Sequence, residues 1–214
     1  ALTMCASATA FPIATTALAT SYSSVLWTTS GTGAIGSPTS LNGATYTPSP
    51  ADILAGSVTL TLNAYGNSPC GNATSNKTLT IRGLPTAAAG ANISICSSAT
   101  SVVIGTDATA TNYSSVLWTS SGTGTFGAPT SLTTAAYSPS AADRTAGSVI
   151  LTLTANAQTP CAGNATSQKT LTFIGNPSAT AGTPVTMCST DTSVNITAGS
   201  SASLYTTVQW TSSG

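Results

Sequence analysis

The sequence predicts an all-β protein made of tandem two-sheet sandwiches. Three observations lead there. A block of about ninety residues recurs along the chain. Its apolar residues alternate with period two. Cysteines fall at the same place in each copy. Internal repetition is the first of these because it fixes the unit to be explained. Tyr22-Ser-Ser-Val-Leu-Trp27-Thr-Thr-Ser-Gly-Thr-Gly33 returns as Tyr113-Ser-Ser-Val-Leu-Trp118-Thr-Ser-Ser-Gly-Thr-Gly124 and begins again as Tyr205-Thr-Thr-Val-Gln-Trp210. Trp27 and Trp118 are 91 positions apart, Trp118 and Trp210 are 92. The chain thus holds two copies and the first third of another. Ending just after a strand, it reads as a window on a longer array.

Within a copy the strands follow from alternation. In Ser57–Ala64 the residues Val58, Leu60, Leu62 and Ala64 share one face, while Thr59, Thr61 and Asn63 take the other; the second copy places Val149, Leu151, Leu153 and Ala155 inward. Leu79 and Ile81, then Leu171 and Phe173, face the core in the Lys-Thr-Leu-Thr segments, and the tryptophan strand buries Val25 and Trp27. Short strands are expected around Val102 and Ile104 and around Tyr46. β-Branched Thr and Val favour this backbone. One helical turn interrupts the strands. Ser49-Pro50-Ala51-Asp52 and Ser140-Ala-Ala-Asp143 have a capping Ser with a carboxylate three residues on, and Gly56 and Gly147 end the turn. Capping explains the Ser, the Asp and the Gly together, which a calcium-ligand role for the aspartates does not.

Seven short strands in such a block describe an immunoglobulin-like sandwich. The expected units are residues 1–82 and 92–174, with an incomplete third at 183–214. The Gly-, Pro- and Ala-rich segments 83–91 and 175–182 read as linkers, too short to hold neighbours far apart.

Composition narrows function. Asp, Glu, Lys and Arg make up 4% of the chain and His is absent, whereas Thr and Ser together are 75 of 214 residues. Four cations do not build a phosphate-binding surface, so nucleic acid is not an expected partner. No apolar run is long enough to span a bilayer, and Ala1–Cys5 has no signal-peptide character, so an export signal would lie upstream. Without His the common catalytic triads are excluded, and Asp52, Asp107, Asp143 and Asp191 lie far apart in sequence. The chain is not expected to be an enzyme or to carry a cofactor or metal.

Each full copy has two cysteines: Cys5 and Cys70, then Cys96 and Cys161, with Cys188 beginning the third set. Pairing inside the copy predicts Cys5–Cys70 and Cys96–Cys161 and leaves Cys188 single. The rival, Cys70–Cys96 with Cys161–Cys188, staples neighbours across the linkers. Regular cysteine pairs without His point away from zinc and towards an oxidising, extracytoplasmic setting.

The co-occurrence of V-L-W-T-x-S-G-T-G, Y-x-P-S-x-x-D-x-x-A-G-S-V-x-L-T-L, a cysteine, K-T-L-T-I and a further cysteine strand resembles the PKD-like, immunoglobulin-like repeats of giant surface adhesins in the Bacteroidetes. That resemblance implies a secreted or cell-surface stalk or filament exported by the type IX system. Its partners would be neighbouring repeats and, in a fibre, identical chains. A carbohydrate-binding module is the alternative reading; Tyr22, Tyr113 and Tyr205, on the parity opposite to the tryptophans, would form its glycan platform. A surface this poor in charge also invites attached glycans, and Asn72, Asn76, Asn92, Asn112, Asn164 and Asn195 each begin an Asn-x-Ser/Thr triplet.

Overall fold

The computed structural model describes residues 2–213; residues 1 and 214, where the first and third expected units begin and end, lie outside the described residues. The first copy contains β1 (Leu2–Cys5), β2 (Phe11–Pro12), β3 (Tyr22–Thr29), β4 (Ala34–Gly36), β5 (Thr45–Thr47), α1 (Pro50–Ala55), β6 (Ser57–Gly66) and β7 (Ala73–Arg82). They form a four-stranded sheet in the order β1-β7-β6-β3 and a three-stranded sheet β2-β5-β4. β1 runs parallel to β7, and the remaining pairs are antiparallel.

The second copy repeats this plan with β8 (Thr86–Ala88), β9 (Ile93–Cys96), β10 (Val102–Val103), β11 (Thr109–Thr111), β12 (Tyr113–Ser120), β13 (Thr125–Gly127), β14 (Ala136–Ser138), α2 (Ala141–Ala146), β15 (Ser148–Ala157) and β16 (Ala165–Ile174). Its sheets are β9-β16-β15-β12 and β10-β14-β13, with β8 and β11 as an added pair. Each copy is an immunoglobulin-like β-sandwich, as the alternation predicted. The expected inward residues Val25, Trp27, Val58, Leu60, Leu62, Leu79 and Ile81 form one core; Val116, Trp118, Val149, Leu151, Leu153, Leu171 and Phe173 form the other. At about 25 cal/mol per Å² of apolar surface, burying side chains of this size is the main stabilising contribution in each sandwich.

Both short helices carry the expected reciprocal caps. Ser49 accepts from the Asp52 amide and Asp52 from the Ser49 amide; Ser140 and Asp143 do the same. Gly56 (φ 74°) and Gly147 (φ 79°) close them in the left-handed conformation that a Cβ disfavours.

The segment 83–91 is more than a linker. Thr86–Ala88 pairs with β11, and Ala89 is fully buried in the second core. Small side chains made the segment look like a tether, yet they are what lets a strand lie flat on a packed sheet. The segment 175–182 likewise contains β17 (Ser178–Thr180), paired with β18 (Ser201–Ser203). Residues of the third copy are otherwise mostly exposed: Trp210 is 44% exposed, whereas Trp27 is 4% and Trp118 is 1%.

Candidate functional site

Two places combine polar groups in both copies, and a third lies where the copies meet. The first is the buried aspartate. The Ser-Gly-Thr-Gly tail of the tryptophan strand folds over the helix start. Asp52 accepts from the Thr32 amide (2.9 Å), the Tyr46 hydroxyl (2.7 Å) and the Ser49 amide (2.9 Å). Asp143 accepts from the Thr123 amide (2.9 Å), the Gly124 amide (3.0 Å), the Tyr137 hydroxyl (2.8 Å) and the Ser140 amide (2.9 Å). The two most distinctive sequence blocks therefore meet at one carboxylate. A Cβ at Gly31 would stand 2.4 Å from Asp52 Oδ1, so glycine is required for that approach. Burial alone would raise the pKa of each aspartate, but the donated hydrogen bonds outweigh it and hold both at about 2. Burial first, and then the neighbouring carboxylate, raise the Tyr46 and Tyr137 hydroxyls. Both oxygens of each aspartate are committed to these donors, which is the geometry of a clamp for the turn.

The second place is a buried lysine on the last long strand. Lys169 lies over the Trp118 ring (5.5 Å to the centroid) and pairs with Asp107 at 2.9 Å, its own side chain fully buried. Asp107 also accepts from the Ala91 amide at 2.6 Å, which pins the end of β8. The Lys169 hydrogen bond and that amide lower the Asp107 pKa. In the first copy Thr16 stands where Asp107 does, and Lys77 lies over Trp27 (4.7 Å) while donating to the Ile13 carbonyl. Burial pushes the Lys77 pKa down. Period-two alternation placed these lysines on the inward parity, which was the available sign that they are core groups.

The third place is the joint. Cys5 is bonded to Cys161, 156 residues away, and Cys70, Cys96 and Cys188 are exposed free thiols. This corrects the expected Cys5–Cys70 and Cys96–Cys161 pairs, and the Cys70–Cys96 rival as well. The reason is the register. Parallel pairing sets Cys5 beside Arg82 at the end of β7, while Cys70 sits in the loop before β7 begins at Ala73. Ten strand residues span roughly 30 Å, against the ~7 Å limit between bridged Cα atoms. The next copy brings its own loop cysteine to that end instead. Arg82 donates to Gln158 Oε1, Gln158 Nε2 donates to the Tyr113 carbonyl (2.8 Å), and Asn112 Nδ2 donates to the Leu84 carbonyl (3.1 Å). Asn112 is thus engaged through the atom that a glycan would take.

The tyrosines do not assemble into a platform. Tyr22 and Tyr113 start β3 and β12 in different sandwiches, and Tyr113 is packed against the second core. Tyr205 lies with Val208 and Trp210 along an open groove of about 590 Å³ in the third copy. The equivalents of Trp210 are core residues in the other copies, so that groove is lined by an uncovered core face. No helix among the described residues is long and apolar enough to cross a membrane.

No protein-family profile matches the chain. No curated protein matches it either. Among solved structures it is similar to human CDH23 EC21-23 (14% identity, TM-score 0.44, 69% of this chain and 50% of that one). It is similar to mouse clustered PcdhgC3 EC1-3 as well (14%, 0.45, 81% and 64%). A third is the human desmocollin-1 ectodomain (14%, 0.37, 72% and 35%). The chain spans about half the length of the first of these. At this identity, and with each of these TM-scores below 0.5, no functional residue is carried over.

Proposed function

We propose that this chain is a structural repeat segment of an extracellular adhesin stalk or surface filament, supplying length, stiffness and protease resistance. The observation that carries the reading is the Cys5–Cys161 bond, which locks one sandwich to the next rather than each to itself. A spacer needs stiff joints more than it needs internally stapled units. The unit is one sandwich, 1–82 or 92–174, with an added strand from the segment before the second. A disulfide favours an oxidising compartment, which fits export to the cell surface. The reading is non-enzymatic: Asp52 and Asp143 are consumed by turn clamps and Asp107 by Lys169. Attachment chemistry then belongs outside these residues.

Small-angle scattering of the full chain before and after reduction tests this. The expected result is one rigid particle that becomes a flexible pair of sandwiches once the joint is reduced. Unchanged rigidity after reduction overturns the role of the bond. Micromolar glycan binding that Tyr22→Ala or Tyr113→Ala abolishes would replace the spacer reading by a carbohydrate-binding one.

A further inference from the structure

The Cys5–Cys161 bond closes a loop across 156 positions of sequence. Nearly all of both sandwiches lies inside that loop: β2 to β7 of the first copy and β8 to β15 of the second. Both aspartate clamps are inside it. So are the hydrogen bonds of the joint, from Arg82 to Gln158, from Gln158 to Tyr113 and from Asn112 to Leu84. Two strands of the sandwiches stay outside. β1 runs up to Cys5, and β16 begins at Ala165, just past Cys161.

These two strands are joined head to tail through the sulfurs: β1 leads into the joint and β16 leads out of it. Both are seated in their sandwiches. Met4 of β1 and Leu171 of β16 are fully buried. Lys169 of β16 lies over Trp118 and pairs with Asp107. By hydrogen bonding, however, β1 is held only by β7, over the four residue pairs from Leu2–Leu79 to Cys5–Arg82.

We infer that β1, the Cys5–Cys161 bond and β16 form a covalent thread that carries tension past both sandwiches, so that residues 6–160 are not unravelled when the chain is stretched.

Tension applied on either side of a closed loop follows the shortest covalent route. Here that route is Leu2 to Cys5, across the sulfurs, and Cys161 to Ile174. At about 3.5 Å per extended residue it measures roughly 60 Å when taut. β1 and β16 already have the extended backbone of strands, so the slack is confined to Ala162, Gly163 and Asn164 between the bond and β16. The loop meanwhile holds back roughly 500 Å of chain. Without the bond, the same tension would enter the first sandwich by shearing β1 from β7, and four residue pairs would oppose it. Hydrogen bonds that can be exchanged for water resist far less than a covalent link. The pairing also matters. Cys5–Cys70 with Cys96–Cys161 would route tension through β7, the segment 83–91 and β9. The bond across the joint takes all three out of the route.

The inference rests on the spacer reading and deepens it, yet the two fail separately. Its test is single-molecule force spectroscopy on the full chain, held by handles at its two ends. The exposed thiols are removed by Cys70→Ser, Cys96→Ser and Cys188→Ser, so that only the joint bond can form. The oxidised chain should show no lengthening step as large as a sandwich. After reduction with dithiothreitol two such steps should appear, adding roughly 500 Å in all. Adding Cys5→Ser should give the same steps without reductant. Sandwich-sized steps in the oxidised chain would overturn the inference. So would a reduced chain that gains no length at the forces the oxidised one withstands, because the sandwiches would then carry the tension themselves. In either case, a chain that scatters as one rigid particle before reduction and as a flexible pair after it leaves the spacer reading in place.

Discussion

The first and second copies share a core plan and differ at the edges. Both clamp the first helical turn through a buried aspartate and a tyrosine, and both rest a lysine on a tryptophan. Two side chains of the second copy make fixings that the first lacks. Asp107 neutralises the buried lysine, and Arg144 donates to the Ser97, Pro139 and Ala99 carbonyls. In place of Arg144 the first copy has Ile53, packed on the core. The shared features set the fold; the added ones set how firmly the end of each sandwich is held.

The largest effect should come from what is shared. Asp52→Ala or Asp143→Ala leaves a tyrosine hydroxyl and several amides buried without an acceptor, each orphan costing about 1–3 kcal/mol. We expect a loss of about 3 kcal/mol or more, of similar size in either copy, read by thermal unfolding with hydrogen exchange to tell the copies apart. A large inequality would mean that the clamps are not equivalent.

Acid should act on both copies together for the same reason. The aspartates are held at about 2, below their ordinary value near 3.8. Their contribution is therefore complete above the unfolded value and is lost as pH falls through about 2. Denaturant melts at stepped pH should be flat above about pH 5 and then decline in both copies. A decline already complete at pH 4 would point to other groups.

Asp107→Ala should separate the copies. It leaves the Lys169 ammonium buried without its counter-charge and frees the Ala91 amide, and loss of one partner of a buried pair costs about 3–5 kcal/mol when both are buried. The Asp107 side chain is 45% exposed and solvent screens the pair, so a smaller loss is expected, confined to the second copy, with faster exchange of the β8 amides. The reverse change, Thr16→Asp, should give Lys77 a counter-charge in addition to the Ile13 carbonyl it donates to, and raise the stability of the first copy. Smallest of all is Leu18→Thr, which copies Thr109. Leu18 is 89% exposed, so the change should alter stability by less than about 0.5 kcal/mol, and a larger loss would show that Leu18 is covered in solution.

Much of the sandwich was legible in the residues because a strand's alternation reports directly which side chains face inward. Val58, Leu60, Trp27, Tyr46 and Leu79 all follow it. The caps were legible because they are local: Ser, Asp and Gly act within one turn. The cysteine pairing was not, since an equal spacing of Cys5–Cys70 and Cys96–Cys161 says nothing about which end of a strand each occupies. The strand at Thr86–Ala88 was missed because alanines carry little periodic signal, and their burial depends on a sheet supplied by residues far along the chain.

The sequence by itself therefore determined the repeat, its inward faces and its turn clamps, all of which rest on contacts between near neighbours or on the period of the backbone. Only the tertiary structure decided that β1 runs parallel to β7, that Cys5 consequently faces the next sandwich, and that a small-residue segment serves as a strand. Those outcomes depend on how separate elements stack in space, and strand direction and stacking leave no trace in a one-dimensional spacing.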